Sequence, residues 1–155
     1  MNAGTGNLSL AKNLISVKVI NNKTNEKLQI EKKDIKFEYR LSSFQSNDLT
    51  IISAKLHFEP NGNKEQLIQT TKNNLKLKTE TQPYHLPSFG SVFKNPENNY
   101  AAKLIDDMGL KGFKIGGAEI SSMHSNFIIN NSSASSRDIY AVSYTHLTLP
   151  TNREV

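Results

Sequence analysis

The chain has 155 residues, is 36% hydrophobic and 21% charged, and contains no cysteine. This length suits one modest domain or part of a larger protein, and the composition is that of a folded chain. The lack of cysteine excludes disulfides and thiolate metal sites. The four histidines contain no H-x-x-x-H pair, so no metal site is predicted. No apolar run approaches the roughly 20 residues of a membrane-spanning helix.

The net charge of +5, with an isoelectric point near 9.4, suits either an anionic small molecule or nucleic acid. The lysines are spread along the chain, and Lys32-Lys33 is the only adjacent basic pair. Because no aromatic and basic pattern of a single-strand binder is present, we predict no nucleic-acid partner and no membrane partner. No secretory signal is visible, which predicts a cytoplasmic protein.

Alternating apolar residues dominate the first third of the chain. Ile15, Val17 and Val19 predict a strand over residues 14–20, and an Asn-rich turn at 21–25 leads to a second strand at 27–30. Residues 31–36 predict a short polar connection with one helical turn. A third strand is predicted over 49–58, ended by Pro60.

Helical and strand patterns mix in the remainder. We predict a helix over residues 64–74, an extended segment over 79–86, and a helix over 99–108 capped by Asn98 and stopped by Gly109. Short strands are predicted at 114–120 and 127–130. A final helix is predicted to begin near Arg137.

The segment between Pro87 and Pro96 predicts a rigid loop that presents Ser91, with Asn95 close by. Gly90 permits backbone angles closed to other residues, and the two prolines exclude a long helix. The competing interpretation is an ordinary Ser/Gly/Pro loop with a buried Phe pair, which composition alone favours. Ser91 lacks the Gly-x-Ser-x-Gly frame of a nucleophile elbow.

Six segments of the chain have the form of known motifs: Phe37-Glu38-Tyr39-Arg40-Leu41-Ser42-Ser43-Phe44, Pro87-Ser88-Phe89-Gly90-Ser91-Val92-Phe93-Lys94-Asn95-Pro96, Asn98-Asn99-Tyr100-Ala101-Ala102-Lys103-Leu104-Ile105, Gly109-Leu110-Lys111-Gly112, Gly116-Gly117-Ala118-Glu119-Ile120-Ser121 and His124-Ser125-Asn126-Phe127-Ile128-Ile129-Asn130. Together they resemble the shorter form of the UDP-N-acetylenolpyruvoylglucosamine reductase family. The resemblance is strong over residues 82–130, because the segments keep the family's order and spacing.

The resemblance implies an α+β fold and a truncated copy of the family's chain. Residues 1–60 are expected to be the C-terminal part of an FAD-binding domain, and residues 61–142 an incomplete substrate-binding C-terminal domain. Residues 143–155 look like a translated sequencing-adapter read-through and predict a non-native tail that does not continue a helix. A native tail is the alternative.

The family resemblance also implies the chemistry. Members of the family use NADPH and FAD to reduce a UDP-sugar enolpyruvyl ether to a lactyl ether. This reaction serves peptidoglycan precursor synthesis, and through it cell-wall biogenesis, cell shape and division. The complete parent is expected to be a cytoplasmic monomer, and this chain by itself to be inactive.

By the motif match, Arg40 stabilises the developing negative charge and Ser91 donates the proton. The match places Tyr39, Asn95, Glu119 and His124 at substrate-binding positions, and Asn2, Ala3 and Gly4 against the flavin. Each also has an ordinary interpretation: a surface cation for Arg40, a core ring for Tyr39, a turn former for Asn95, and exposed residues for Glu119 and His124.

Two departures from the family pattern stand out. Glu154-Val155 imitates the family's late catalytic glutamate, but only sixteen residues separate it from Asp138, too few for the intervening helix and strand. The catalytic glutamate is therefore predicted to be absent. Thr81 replaces a lysine of many relatives, which puts one phosphate or substrate contact in doubt.

The competing function is of another class: a non-enzymatic basic module that binds anionic nucleotides or nucleic acid. A continuous lysine face away from Ser91 would favour it, whereas a site confined to Arg40, Ser91 and Asn95 favours the reductase.

Overall fold

The computed structural model describes residues 2–5, 8–45, 48–60 and 62–148. Two compact units make up the chain, unit 1 over Met1–Gly62 and unit 2 over Asn63–Val155. Both combine helices with antiparallel strands, which confirms the predicted α+β class. Assignment of the units to flavin-binding and substrate-binding domains stays a prediction.

Unit 1 contains seven described strands and one short helix: β1 (Gly4–Thr5), β2 (Leu8–Ser9), α1 (Leu10–Asn13), β3 (Leu14–Asn21), β4 (Lys27–Glu31), β5 (Phe37–Glu38), β6 (Leu41–Ser42) and β7 (Leu49–Leu56). Single 3₁₀ turns occupy Lys32–Asp34 and Ser43–Gln45. The three predicted long strands all form, although β7 ends two residues before the predicted limit. The helical turn predicted at 31–36 is also present.

The central strand of unit 1 is β3, which pairs antiparallel with β4 and β7 in the order β4-β3-β7. Val17 and Val19 alternate along it and are almost completely buried, with Leu14 and Ile35 in the same cluster. Period-two patterning therefore predicted this strand correctly, because one face of β3 supplies the core of the unit.

The described part of unit 2, residues 63–148, contains three helices and four strands: α2 (Lys64–Thr81), β8 (Ser88–Ser91), α3 (Ala101–Asp107), β9 (Lys114–Ile115), β10 (Ala118–Ile120), β11 (Phe127–Asn130) and α4 (Ser136–Thr148). The strands form an antiparallel sheet in the order β8-β11-β10-β9. Ala118, Ile120 and Ile128 on the sheet join Ile105 of α3 and Val142 of α4 in one buried cluster. Burying an apolar side chain of this size contributes about 1.5–3 kcal/mol, so this layer holds the sheet against the two helices.

The helix predicted over 64–74 is longer than expected. It runs to Thr81, so the predicted extended segment at 79–86 is wrong in its first three residues. Asn63 caps its start by accepting a hydrogen bond from the Gln66 amide at 2.9 Å. The end is set by Pro83, because the residue before a proline is disfavoured in helical geometry.

The single strand predicted at 114–120 is two strands joined by a tight turn at Gly116 and Gly117. A side chain at Gly117 would lie 2.1 Å from the Ser132 carbonyl oxygen, and one at Gly116 would lie 2.4 Å from the Asp138 carboxyl carbon. The glycine pair is therefore required by the close approach of two backbone segments and α4.

Asn98 does not cap α3, contrary to prediction. It adopts a left-handed conformation at φ 60°, and α3 begins only at Ala101. The Asn95 side chain instead accepts a hydrogen bond from the Ala101 amide at 3.1 Å. A side chain six residues upstream thus serves the first turn, which local capping rules do not anticipate.

The prediction that the helix stops before Ser143 is wrong for residues 143–148. Helix α4 continues through Thr148, and residues 149–155 lie outside the described part. Val142 is fully buried and anchors the helix on the sheet. The Thr145 hydroxyl donates to the Ala141 carbonyl at 3.0 Å, and the Tyr140 and Tyr144 rings stack at 5.9 Å. Tertiary packing outweighs the weak helix propensity of the threonines. Among the described residues, no helix is long and apolar enough to cross a membrane.

Candidate functional site

In unit 1, Arg40 lies in the two-residue turn between β5 and β6. Its φ of 55° is uncommon for a residue with a side chain, so the turn directs the guanidinium in a defined way. The guanidinium donates to the Gly4 carbonyl at 3.0 Å and lies 4.9 Å from the centre of the Tyr39 ring. The Tyr39 side chain is 53% exposed and is not a core ring.

The segment predicted to contact flavin meets this same turn. The Asn2 amide group donates to the Glu38 carbonyl at 3.3 Å and accepts from the Ala11 amide at 3.3 Å. The Ala3 carbonyl accepts from the Leu10 amide at 2.8 Å. The structure therefore brings Asn2, Ala3 and Gly4 together with Tyr39 and Arg40 in one cluster of unit 1.

In unit 2, Ser91 ends β8, so the predicted loop at 87–96 is in part a strand. β8 is an edge strand and pairs with β11, where Phe127 lies opposite Ser91 and Ile129 opposite Ser88. Three steps along β8 match two along β11, which defines a β-bulge, and Gly90 within it has φ 69°. Gly90 is therefore needed for this geometry, and the exposed Ser91 side chain lies just after the bulge.

Ser91 borders a cleft of about 550 Å³ within unit 2. The lining residues are Gln82, Pro83, Tyr84, Leu86, Ser88, Phe89, Gly90, Ser91 and Phe127. Aromatic faces and serine hydroxyls together suit a ligand that has both apolar and polar parts. A hollow of about 830 Å³ in unit 1 is lined by Ile15, Glu31, Lys32, Lys33, Ile35 and Phe37, and includes none of the predicted site residues.

Asn126 is the residue that sequence reasoning missed. It is 4% exposed, and its side chain bonds both backbone groups of Phe93, accepting from the amide and donating to the carbonyl, each at 2.9 Å. Its own carbonyl accepts from the Val92 amide at 3.0 Å. An asparagine beside a run of apolar residues could have indicated this role, because a polar side chain that is buried among them must find hydrogen-bond partners.

Glu119 lies on the same face of the sheet as Ser91. Ser91 is opposite Phe127 and Glu119 is opposite Ile129, two residues farther along β11, so the side chains share a face on either side of that strand. The Glu119 carboxylate contacts Lys114 at 3.2 Å and accepts a hydrogen bond from the Asn131 side-chain nitrogen, Nδ2, at 2.7 Å. It is therefore held in place rather than freely exposed.

His124 packs edge-on against Phe127, with ring centres 4.7 Å apart. Its Nδ1 atom accepts a hydrogen bond from the Asn126 amide at 3.3 Å. Burial lowers the pKa of the imidazole below 6.5, and the nearby charge of Lys111 acts in the same direction, while a backbone hydrogen bond opposes them. A neutral ring is what the Asn126 contact requires, since a protonated Nδ1 cannot accept.

Five of the lysines are paired with carboxylates among the described residues. Ion pairs join Lys23 to Asp48, Lys76 to Glu80, Lys103 to Asp107, Lys111 to Asp106 and Lys114 to Glu119. Within the described ranges, no three His, Asp or Glu side chains are grouped so as to hold a metal ion.

Comparison with known proteins gives this geometry a context. The family description "UDP-N-acetylenolpyruvoylglucosamine reductase, C-terminal domain" matches residues 82–145. A protein named UDP-N-acetylenolpyruvoylglucosamine reductase from Prochlorococcus marinus subsp. pastoris is 71% identical over 139 residues. The match covers 90% of this chain and 47% of that protein. The chain is a member of the UDP-N-acetylenolpyruvoylglucosamine reductase family.

Other relatives agree. A protein of the same name from Synechococcus sp. is 39% identical over 142 residues, covering 92% of this chain and 47% of its own length. The crystal structure of the reductase from Thermus caldophilus superposes with a TM-score of 0.77 at 30% identity, covering 97% of this chain and 55% of that one. The chain thus spans about half the length of the family members it matches. The family match extends to residue 145, three residues into the predicted tail.

Proposed function

We propose that this chain is part of an enzyme that reduces the enolpyruvyl ether of UDP-N-acetylglucosamine to UDP-N-acetylmuramate with NADPH, in peptidoglycan precursor synthesis. The observation that best supports this proposal is the 71% identity over 139 residues to a protein named for that activity. We also propose that the complete protein is a cytoplasmic monomer that binds the UDP-sugar as its small-molecule substrate and has no nucleic-acid or membrane partner.

The cofactor of this reaction is FAD, which when bound supplies the hydride delivered to the substrate. The residues that would contact it here are Asn2, Ala3 and Gly4. They fit an edge of such a site, because they adjoin Arg40 and Tyr39. They are not among the residues that line the 830 Å³ hollow of unit 1.

Arg40 is assigned the stabilisation of negative charge that builds on the substrate carboxylate as hydride arrives. A guanidinium stays charged at every accessible pH and can bind a carboxylate through two parallel hydrogen bonds. Its contact with the Gly4 carbonyl uses only one nitrogen, Nη2. The other guanidinium N–H groups are available to a ligand. The left-handed backbone at Arg40 sets the direction in which the side chain leaves the turn.

Ser91 is assigned the donation of the proton that completes the reduction. A serine hydroxyl is a weak acid, so donation requires a strongly basic acceptor held at hydrogen-bond distance. Its position on the wall of the unit 2 cleft gives the hydroxyl access to a bound ligand. Asn95, Glu119, His124 and Tyr39 are assigned to substrate binding. The Asn95 Oδ1 atom is occupied by the α3 amide, so its amide nitrogen is the group offered to substrate.

The test uses a full-length chimera in which this chain replaces the matching segment of the Prochlorococcus relative. The holoenzyme is expected to oxidise NADPH only when the enolpyruvyl substrate is present, and the product should carry two additional hydrogens by mass. The unmodified relative is the control. A chimera that binds flavin and is reduced by NADPH, yet fails to reduce the substrate, would contradict the proposed function.

A further inference from the structure

Two hydrogen bonds from one buried side chain fix the backbone that follows Ser91. The Asn126 carboxamide pairs with both the amide and the carbonyl of Phe93, as a neighbouring strand would. Together with the bond from the Val92 amide to the Asn126 carbonyl, this extends the β8 to β11 pairing past the end of the strand. Asn126 is 4% exposed, so water competes little for these bonds.

The turn that precedes β11, which contains Ser125 and Asn126, also holds the other end of the segment between β8 and α3. The Ser125 hydroxyl, on the residue before Asn126, donates to the Ala102 carbonyl in α3. The Asn95 side chain accepts from the neighbouring Ala101 amide. Consecutive residues of one turn therefore hold the segment between β8 and α3 near both of its ends.

Ser91 needs such support because little else holds it. It lies on an edge strand, paired on one side only, and directly after Gly90 in its left-handed conformation. Its side chain is exposed, so packing does not fix its position. A misplacement of about 1 Å in a reacting group can reduce a rate on the order of 100-fold.

We propose that Asn126 is a positioning residue, which sets the location of the Ser91 hydroxyl by anchoring Phe93. Asn126 acts through the Phe93 backbone, to which both of its side-chain hydrogen bonds are made. The expected effect on the reaction rate rests on the proposed function. The expected effect on the Phe93 backbone rests on the hydrogen bonds alone.

The experiment compares Asn126→Ala and the near-isosteric Asn126→Asp with a matched control, Asn130→Ala, in the full-length chimera. Asn130 is on the same strand, and its side chain likewise bonds a backbone amide, that of Ala134 at 2.9 Å, but at the end remote from Ser91. Thermal midpoint and flavin content establish that each variant is folded. The rates of flavin reduction by NADPH and of flavin reoxidation by the enolpyruvyl substrate are measured separately.

We expect both Asn126 variants to slow reoxidation on the order of 10- to 100-fold, with flavin reduction unchanged and substrate affinity changed less than the rate. The Phe93 amide should exchange with solvent faster than in the parent. Asn130→Ala should lower the thermal midpoint by a similar amount. It should leave the rate of flavin reoxidation and the exchange rate of the Phe93 amide unchanged. Reoxidation as fast as in the control would overturn the inference, as would an unchanged Phe93 exchange rate. An inactive, flavin-loaded parent would instead count against the proposed function.

Discussion

Ser91 and Arg40 are the residues on which the assigned chemistry depends, and they lie in different units of the chain. Each follows or occupies a left-handed backbone position, Gly90 at φ 69° and Arg40 itself at φ 55°. Such conformations cost about 1–3 kcal/mol for a residue with a side chain. Arg40 carries this cost, whereas the position before Ser91 avoids it because the left-handed residue there is a glycine.

In the full-length chimera, Ser91→Ala should remove proton delivery and leave flavin reduction by NADPH nearly intact. The loss of turnover should be roughly 10²–10⁴-fold, as for other deletions of a general acid. Ser136→Ala, at an exposed serine that begins α4, is the control. Stopped-flow measurement of the two flavin half-reactions separates the effects. Unchanged reoxidation by the enolpyruvyl substrate would show that Ser91 is not the donor.

His124 should titrate below 6.5, because burial and Lys111 lower the pKa of its imidazole in the folded state. A folded pKa below the unfolded one means that the neutral ring contributes stability above about pH 6.5, and that this contribution is lost as pH falls through the folded pKa. Chemical shifts of the ring protons should give the titration directly. The Asn126 amide resonance should move with it, since Nδ1 stops accepting on protonation. A midpoint at or above 6.5 would contradict this.

At the scale of elements, α4 begins with a reciprocal cap. The Ser135 hydroxyl accepts from the Asp138 amide at 3.1 Å, and the Asp138 carboxylate accepts from the Ser135 amide at 2.9 Å. The Gly117 amide also donates to this carboxylate, at 3.4 Å. One side chain therefore joins the start of α4 to the turn between β9 and β10.

These hydrogen bonds, chiefly the one from the Ser135 backbone amide, hold the pKa of Asp138 below its usual value of 3.8. The ionised cap therefore stabilises unit 2 above that pH, and the contribution is lost as pH falls through the lower folded pKa. Asp138→Asn should remove this part of the pH dependence. Thermal midpoints of the two proteins between pH 6 and pH 2 test it, and parallel curves would refute the role of the carboxylate.

The end of α4 makes a second prediction at this scale. Deleting residues 143–155 should lower the thermal midpoint of unit 2, because carbonyl groups around the buried Val142 lose the amides that follow them in the helix. Amides of residues 143–145 should exchange more slowly than those of a random coil. A midpoint unchanged by the deletion would instead support the interpretation of this segment as a non-native tail.

At the scale of the whole molecule, the chain should not hold FAD by itself. In the described part of unit 1, the groups assigned to the flavin are confined to Asn2, Ala3 and Gly4, and two of these already have partners: Asn2 donates to the Glu38 carbonyl and the Gly4 carbonyl accepts from Arg40. The purified chain should therefore be colourless, and titration should not quench flavin fluorescence. The full-length chimera is the matched control and should be yellow. A stoichiometric yellow protein from the chain alone would contradict this expectation.

The sequence by itself determined the central strand of unit 1, through the alternation in β3, and the family, through the motif spacing over 82–130. Period-two patterning predicted β3, because its buried face is set by residues that alternate along one segment. The turn before β4 and the β-branched residues at the start of β7 predicted the two strands that pair with it. The motifs were sufficient to assign the family, which the comparisons confirm. In the sequence the glycine pair at 116–117 is only part of a motif, whereas its steric reason lies in Ser132 and Asp138, which are distant in sequence.

Local rules failed where a distant partner supplied the deciding contact. Tertiary structure decided that α3 is served by Asn95 rather than Asn98, that α4 passes through Ser143, and that Asn126 holds the segment after Ser91. Each depends on a buried group or hydrogen bond between residues that the sequence separates, whereas propensity describes only neighbours. The chemistry-bearing residue types could be identified from the sequence, but the bonds that set their geometry are fixed only when the sheet and helices of unit 2 pack together.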